Sequence, residues 1–359
     1  MPWASSQSKP SNATMRRILL TGGRAPATLE LARLLQAAGH AVFVAESMPW
    51  PLTRFSRAVT ANFRVPPPRF APAAFIEALI EIARREQIDW LIPTCEEIYT
   101  VALGRERLAG YCSVFAADLV TLHGLHHKGC FVELARQLGL AVPESRLVYN
   151  RAEAETLLAT GREWVFKPVY SRAGSQTIIR PRRPTELMRA DFRLDRPWLA
   201  QAFVAGRQLC TYSLAHQGRL TAHAAYATEF CLGAGSTVRF ASLEHPAARA
   251  WVEQFVAGCR FTGQIAFDFI EQADQQVIAL ECNPRLTSGI HLFHQTPVVV
   301  EAFFEPNRPL VTPGDGPASQ LGLGMLFYAV GRVRSPEEAR RWWQALSSGR
   351  EIVFQGSDP

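Results

Sequence analysis

Short apolar runs alternate with helical repeats in the first third of the chain, and this alternation limits the fold more than any other feature. Runs at residues 17–21, 40–45 and 90–93 predict buried strands. Between them, apolar residues recur at helical spacing up to Gly39 and again over residues 75–83. Strands that alternate with helices are typical of a doubly wound parallel sheet. We therefore predict an N-terminal α/β domain over residues 15–120, after a loose tail at residues 1–14.

Strand patterns dominate the chain beyond that domain. Helical spacing predicts one helix over residues 122–138 and another over residues 247–259. The predicted strands lie at residues 145–149, 163–168, 198–203, 208–216, 220–227, 263–270 and 277–282. This mixture indicates an α+β region over residues 121–311. The C-terminal segment, residues 312–359, carries an apolar run and then a predicted amphipathic helix at residues 336–346.

Composition excludes several classes of protein. Hydrophobic residues make up 48% and charged residues 19%, which is typical of a globular chain. The net charge of +6 is small for 359 residues, and no long basic tract is present, so we expect no nucleic-acid partner. No run of 18 apolar residues occurs, so we expect no membrane association. The seven cysteines are scattered without a CxxC pair, which argues against a disulfide framework or zinc site and favours a reducing, cytoplasmic location.

Lysine is almost absent from the chain. Of its 38 basic residues, only Lys9, Lys128 and Lys167 are lysine. Arginine therefore supplies the positive charge wherever any cation is sufficient. Lysine differs from arginine in carrying a compact ammonium group. Lys128 and Lys167, which lie in the predicted folded part, are accordingly the first candidates for a functional site.

Acidic and amide side chains stand at the ends of two predicted neighbouring strands. Asp268 lies inside one apolar strand, and Glu281 and Asn283 end the next. Residues 281 and 283 are two apart and so face the same side of a strand. If the strands form an antiparallel pair, Asp268 points into the same space. Two carboxylates and an amide oxygen are ligands suited to Mg²⁺, and Arg285 follows them as a residue that can bind oxyanions bidentately.

This pattern resembles the ATP-grasp superfamily, most closely the branch that contains carbamoyl-phosphate synthetase large subunits and biotin carboxylase. The resemblance extends over about residues 15–311 and includes residues 93–97, which are similar to a strand-end motif of the family's N-terminal domain. It implies a two-lobed ATP-grasp fold, with lobes of about residues 121–199 and 200–311. It also implies that Asp268, Glu281 and Asn283 hold magnesium, and that Arg285 serves acyl-phosphate chemistry.

The same resemblance implies a nucleotide site. Lys167 matches the family's strand lysine, which contacts the α- and β-phosphates, and Lys128 matches a helix-start lysine that contacts the phosphates from the other side. The family's small-residue loop over the triphosphate and its adenine hinge fall on Ser171, Gly174, Ser175, Gln201, Ala202 and Val204, with Gln208 as the ribose ligand. Backbone N–H groups of such a small-residue loop can approach phosphate oxygens closely.

By resemblance, the chain is an ATP-dependent carboxylate–amine ligase. The expected cofactors are ATP and Mg²⁺, with Mn²⁺ as an alternative. The expected partners are a small carboxylate and an amine acceptor. A homo-oligomer is compatible with these expectations. Lys167 and Arg285 would be the catalytic residues, neutralising phosphate charge and holding the acyl phosphate.

Two alternatives stay open at the level of sequence. One is a non-catalytic or regulatory ATP-binding protein with the same shape. The other is a nicotinamide-dependent oxidoreductase built on the turn at residues 21–23, which lacks the GxGxxG pattern and is interpreted here as structural. His291 and His294 follow the proposed metal strand, and we interpret them as structural side chains more readily than as substrate contacts.

Overall fold

A computed structural model describes residues 15–171, 176–232 and 236–358. The proposed tail at residues 1–14 therefore lies outside the described residues.

A five-stranded parallel sheet forms the N-terminal part of the fold, in the strand order β3-β2-β1-β4-β5. Its strands are β1 (Arg17–Thr21), β2 (Ala41–Glu46), β3 (Ala61–Arg64), β4 (Trp90–Ile92) and β5 (Ser113–Val114). The accompanying helices are α1 (Pro26–Ala37), α2 (Pro72–Arg85), α3 (Ile98–Leu103) and α4 (Arg105–Leu108). Short 3₁₀ helices occur in the chain at Leu52–Phe55, Pro184–Leu187, Ser288–Phe293 and Pro297–Phe303.

Alternating apolar side chains cover both faces of this sheet. Ile18 and Leu20 face α1, where Leu31 and Leu35 pack against them. Leu19 lies in a separate cluster on the opposite face, together with apolar residues of α2. Helices on both faces confirm the doubly wound parallel arrangement that the sequence predicts.

A smaller antiparallel sheet follows, in the order β6-β9-β7-β8. It consists of β6 (Ser145–Val148), β7 (Trp164–Pro168), β8 (Ile178–Ile179) and β9 (Trp198–Ala202), with α7 (Arg151–Ala159) packed on one face. Residues 203–206 then connect β9 to the largest sheet. Gly206 has φ +154°, and a Cβ there would collide with the Glu271 carbonyl, so this connection requires glycine.

The largest sheet is antiparallel, in the order β11-β10-β15-β16. Its strands are β10 (Arg207–His216), β11 (Arg219–Ala227), β15 (Gly263–Glu271) and β16 (Val277–Asn283), and between them the chain forms β12 (Cys231–Leu232), β13 (Ser236–Thr237), β14 (Arg239–Phe240) and α8 (Pro246–Gly258). Phe131, Trp251, Phe255, Phe267 and Phe269 form an aromatic cluster between helices and one face of this sheet.

The single helix predicted over residues 122–138 is wrong. The structure has two helices, α5 (Leu119–His126) and α6 (Lys128–Gln137), separated by His127 in an extended conformation. The His127 side chain caps α6 by accepting the Cys130 N–H at 3.1 Å. Because α6 therefore begins at residue 128, the Lys128 N–H is free of the helix and bonds to the Val169 carbonyl. Both helices pack against the largest sheet.

The C-terminal segment packs against the part of the chain between β11 and α8. It contains β17 (Ser319–Gln320), α9 (Gly322–Arg332), α10 (Pro336–Ser348) and β18 (Arg350–Glu351). Met325 of α9 is fully buried against Phe230 and Val238, in the segment between β11 and α8. The predicted amphipathic helix at residues 336–346 is present as α10. Within the described ranges, no helix has both the length and the apolar character needed to cross a bilayer.

Candidate functional site

The two acidic strand ends form a directly opposed pair. β15 and β16 are antiparallel, as the sequence analysis required, with Asp268 opposite Glu281 and Ala266 opposite Asn283. All three polar side chains therefore lie on one face of the sheet. The register shifts beside this pair, between Asp268 and Phe269. This shift leaves Leu280 without a partner in the ladder, so its carbonyl is available to other donors.

Two lysines approach this acidic pair from other elements. Lys128, at the start of α6, places its Nζ 3.3 Å from Glu281 Oε2 and donates to the Ser171 carbonyl at 3.1 Å. Lys167, near the end of β7, donates to the Leu280 carbonyl at 3.1 Å. Both side chains are almost wholly buried. The two lysines of the predicted folded part thus meet at one place, although they are 39 positions apart in the sequence.

The charges at this point shift one another's protonation. Burial and the neighbouring negative charge of Glu281 raise the pKa of Asp268 to about 7. Burial also acts to raise the pKa of Glu281, but Lys128 and Lys167 outweigh it and lower that pKa to about 2. Burial lowers the pKa of Lys167 to about 8, against the opposing attraction of Glu281. The site thus holds two carboxyl groups and two amines at close quarters, away from bulk water.

These residues fit a magnesium ion. Two facing carboxylates repel each other unless a proton or a cation lies between them, and burial together with this repulsion raises the pKa of Asp268. Mg²⁺ is commonly held by one or two carboxylates together with water and phosphate oxygens. Across the described residues, no three or more His, Cys, Asp or Glu side chains are grouped so that they could hold a metal. A metal held by Asp268, Glu281 and the Asn283 amide would therefore need further ligands, such as phosphate oxygens.

A cavity of about 470 Å³ lies next to the acidic pair, between the small and the largest sheets. Its wall includes nearly all of the sequence-predicted residues within the described ranges, namely Lys167, Gln201, Ala202, Val204, Gln208, Asp268, Glu281, Asn283 and Arg285. Apolar side chains lie beside the β9–β10 connection, because Val165 pairs with Gln201 and Ile179, and Ile270 pairs with Gln208, and all three apolar residues line the cavity. The cavity therefore joins an apolar slot beside the β9–β10 connection to a charged end.

Two of the predicted residues within the described ranges are not in that wall. Ser171 is placed next to Lys128 through its carbonyl, which accepts the lysine's hydrogen bond. Lys128 itself reaches the site through Glu281. Gly174 and Ser175 lie outside the described residues.

Arg285 connects the cavity to the parallel sheet. Its Nε lies 3.3 Å from Glu96 Oε1, and its guanidinium also donates to the Leu286 carbonyl at 3.0 Å. Glu96 belongs to the segment of residues 93–97 that follows β4. The arginine is only 14% exposed, so this contact is sheltered from water. The motif of the N-terminal domain and the end of β16 therefore meet at the charged end of the cavity.

Sequence reasoning missed several residues of the cavity. Cys210 of β10 lies opposite Asp268, and its thiol donates to Asp268 Oδ1 at 3.0 Å. Tyr226 lies opposite Cys210 on β11 and also lines the cavity. Thr237 and Phe240 close the wall from the segment after β11. Period-2 patterning puts Cys210 on the same face as Gln208, but the sequence gives no sign that this strand pairs with the acidic one.

The turn at residues 21–23 is structural. Gly22 has φ +76°, and any Cβ there would collide with Glu97 and Thr94. Glu46, at the end of β2, is the acidic residue that a dinucleotide-binding sheet would offer to a ribose. Here its carboxylate accepts from the Arg24 side chain at 2.8 Å and from backbone N–H groups of Ser47 and Met48. The arrangement therefore offers no support for a nicotinamide site.

The two histidines after β16 lie away from the cavity. His291 is buried, and its Nδ1 lies 2.9 Å from Glu30 Oε2 of α1. His294 Nδ1 lies 3.1 Å from the His291 carbonyl. Both therefore tie the chain after β16 to its surroundings, in agreement with the structural interpretation.

Comparison with known proteins identifies the domain that carries this cavity. The family profile described as the ATP-grasp domain matches residues 127–289. These residues are therefore similar to the ATP-grasp domain. The match includes both lysines, the β9–β10 connection and the Asp268–Asn283 strand ends, and it confirms the resemblance drawn from the sequence. No curated protein sequence matches the chain significantly.

Solved structures share the fold at low sequence identity. N5-carboxyaminoimidazole synthetase from Staphylococcus aureus, complexed with ADP, is 12% identical with a TM-score of 0.66, covering 88% of this chain and 86% of that one. L-amino acid ligase from Bacillus licheniformis is 16% identical with a TM-score of 0.61, covering 80% and 74%. Biotin carboxylase from Campylobacter jejuni is 12% identical with a TM-score of 0.61, covering 82% and 72%. All three structures therefore share the fold of this chain over most of its length.

Proposed function

We propose that this chain is an ATP-dependent ligase that activates a carboxylate as an acyl phosphate and transfers the acyl group to an amine, releasing ADP and phosphate. The observation that carries the proposal is the convergence of Lys128, Lys167, Asp268, Glu281 and Arg285 at one end of a cavity. Separate elements bring these charges together, and phosphoryl transfer requires such fixed charges around the phosphate oxygens. The structural neighbours include enzymes described as ligases or carboxylases, some of them solved with ADP or an ATP complex.

We further propose how the nucleotide lies in the cavity. The base would occupy the apolar slot, edge-on to the backbone of Gln201, Ala202 and Val204, and Gln208 would contact the ribose. The phosphates would then extend towards Lys167 and Lys128, with Ser171, Gly174 and Ser175 as the closing loop. The distribution of apolar and charged side chains along the cavity supports this direction.

The chain's own residues would act mainly through charge and position. Lys167 and Lys128 would neutralise negative charge on the phosphate oxygens as the γ-phosphate is transferred. Arg285 would hold the substrate carboxylate and then the acyl phosphate in a bidentate grip, while its contact with Glu96 keeps the guanidinium oriented. Magnesium, or Mn²⁺ in its place, held by Asp268, Glu281 and Asn283, would supply further charge neutralisation when bound. The sheltered cavity would keep the acyl phosphate from water.

Several remaining assignments are part of the same proposal. We propose a division into a tail (1–14), an α/β domain (15–120), an ATP-grasp domain (121–311) and a C-terminal segment (312–359). Within the described residues, the parallel sheet followed by two antiparallel sheets supports the second and third of these units. All seven cysteines are free, which supports a reducing, cytoplasmic compartment. The partners would be ATP, a small carboxylate and an amine such as an amino acid, without a nucleic acid or a membrane. A homo-oligomer is compatible with this proposal.

ADP release measured against a matrix of carboxylates and amines tests the proposal. A ligase should release ADP only when a matching pair is present, and mass spectrometry should detect a condensed product that is lighter than the two substrates by one water. Nucleotide binding without turnover for any pair would favour the regulatory ATP-binding alternative. ATP affinity is compared between the original chain and Lys167→Met. If the original chain binds no ATP, or if the variant binds ATP equally well, the nucleotide site is refuted.

A further inference from the structure

A second cavity, of about 410 Å³, lies at the β11 edge of the largest sheet, beside the beginning of α8. Strand register separates it from the nucleotide cavity. Tyr226, Cys210 and Asp268 lie opposite one another and face the nucleotide cavity. His223 lies opposite Ser213. Each is three residues from its strand's member of that row, Tyr226 or Cys210. Because side chains alternate between the two faces of a strand, the His223 side chain lies on the opposite face, which packs against α8. The second cavity therefore has its own set of side chains.

His223 is the polar residue of this wall whose hydrogen bonding is incomplete. It is only 5% exposed, and its Nδ1 lies 2.9 Å from the Ser213 hydroxyl on the neighbouring strand. Because Nδ1 faces the Ser213 side chain on β10, the Nε2 edge points away from β10, towards the outer side of β11 where the cavity lies. Nε2 is buried and has no hydrogen-bond partner among the described residues. A buried polar nitrogen without a partner is unfavourable, so a ligand that completes this bond is favoured.

Positive groups at the beginning of α8 also line this cavity. α8 is 13 residues long, and His245 caps its first turn by accepting the Ala248 N–H at 3.1 Å. The N-terminus of such a helix carries partial positive charge. Arg249, one turn into α8, also lines the cavity, and its Nε is 3.7 Å from the nearest Glu253 oxygen, a loose contact. Burial, and then the positive charge of Arg249, lower the pKa of His223 to about 4, which keeps its ring neutral.

Acidic side chains line the same cavity. They are Glu244 and Asp315, and both are exposed. A cavity lined by both cationic and anionic side chains suits a ligand that carries both charges. Its volume admits a small molecule of this kind.

We propose that this second cavity binds a free α-amino acid. The carboxylate would accept hydrogen bonds from His223 Nε2–H and Arg249 at the beginning of α8, with the Ser213 hydroxyl donating to Nδ1 so that the proton lies on Nε2. The ammonium group would lie towards Glu244 and Asp315. This binding is independent of the proposed ligase reaction, because none of its residues touches the nucleotide cavity.

Calorimetric titration of the full chain with each of the twenty common amino acids tests the proposal. At least one should bind, and Arg249→Gln should raise its Kd at least about tenfold, as expected for losing a charge-assisted hydrogen bond. Arg260→Gln removes the same charge just beyond the other end of α8 and should leave the Kd unchanged. Because Arg249 is partly exposed, its loss should not prevent folding, which circular dichroism would verify.

Two further comparisons test whether the cavity recognises both the ammonium group and the carboxylate of the ligand. Asp315→Asn should weaken the amino acid but not acetate, which lacks the ammonium group. Inorganic phosphate should bind less tightly than the amino acid, and phosphate binding alone would refute the assignment. The proposal is also overturned if no amino acid binds, or if binding persists in Arg249→Gln but disappears in Arg285→Ala, because the ligand would then occupy the nucleotide cavity.

Discussion

Replacing Lys167 with methionine removes the ammonium group and keeps a side chain of similar length. In the folded chain this amine is almost wholly buried and donates to the Leu280 carbonyl at 3.1 Å. Burial lowers its pKa from the ordinary 10.5 to about 8, so the fold holds the charged amine at a cost. A shift of this size corresponds to about 3 kcal/mol. Methionine relieves that cost but leaves the Leu280 carbonyl, among the described residues, with only the long contact from Gln201 Nε2 at 3.4 Å, a loss of about 1–3 kcal/mol.

The two effects nearly cancel for stability but not for nucleotide binding. We expect the free energy of unfolding to change by less than about 2 kcal/mol, in either direction, because relief of burial and loss of the hydrogen bond oppose each other. ATP binding instead loses a charge-assisted contact of about 1.5–3 kcal/mol, which corresponds to a Kd raised about 10- to 150-fold. Stability and affinity should therefore separate in this variant.

Chemical denaturation and calorimetry with ATP and Mg²⁺ measure these two quantities on the same protein. Arg162→Met is the matched control, since it removes a positive charge from the half-exposed loop before β7, outside the cavity. Unchanged ATP affinity in Lys167→Met would refute the assignment of this lysine to the phosphates. A loss of affinity that only accompanies unfolding, or an equal loss in Arg162→Met, would show that the effect is not local.

Three further predictions concern the remaining parts of the cavity. Glu281→Gln should lower ATP turnover by at least about 10²-fold, because only one carboxylate then remains for a metal that is held through few protein ligands. ADP release titrated with Mg²⁺ measures this effect, and normal turnover at low Mg²⁺ would exclude the metal role of Glu281. Arg285→Lys should reduce kcat and kcat/KM together by about 10²–10³ while the ATP Kd stays near its original value, since only the bidentate grip is lost; an equal loss of ATP affinity would make it a nucleotide ligand. Gln208→Ala should raise the ATP Kd by about 3- to 10-fold through one lost neutral hydrogen bond; an unchanged Kd for ATP would remove the ribose contact.

The relation between the two cavities can be tested with the same proteins. The sheet separates His223 from Asp268, so substitutions in one cavity should not alter binding in the other. ATP affinity in Arg249→Gln and amino-acid affinity in Lys167→Met provide the two cross measurements. Independent results would support two sites, whereas a reciprocal change of both affinities would reveal a coupling free energy between them.

Local pattern was sufficient for most elements of the fold. Period-2 and period-3.6 repeats are properties of neighbouring residues, so strands β1, β2 and β4 of the parallel sheet and the face shared by Glu281 and Asn283 follow from the sequence alone. The short strands β3 and β5 are not predicted by these repeats. The break between helices at His127 could not be predicted from the sequence, because the apolar spacing continues through this residue. The His127 side chain accepts the Cys130 N–H and so caps the start of a new helix. Lys128 is placed beside Glu281 by that break.

By itself, the sequence determined which chemical groups were available: two lysines among many arginines, two carboxylates and an amide at strand ends, and an arginine beyond them. Only the tertiary structure decided which groups meet. The pairing of β10 with β15 sets the Cys210 thiol against Asp268, and the register shift at Leu280 presents a carbonyl to Lys167. The approach of the parallel sheet brings Glu96 to Arg285. These contacts join residues far apart in the chain, and strand pairing, ladder register and sheet packing depend on the whole core rather than on any local run of residues.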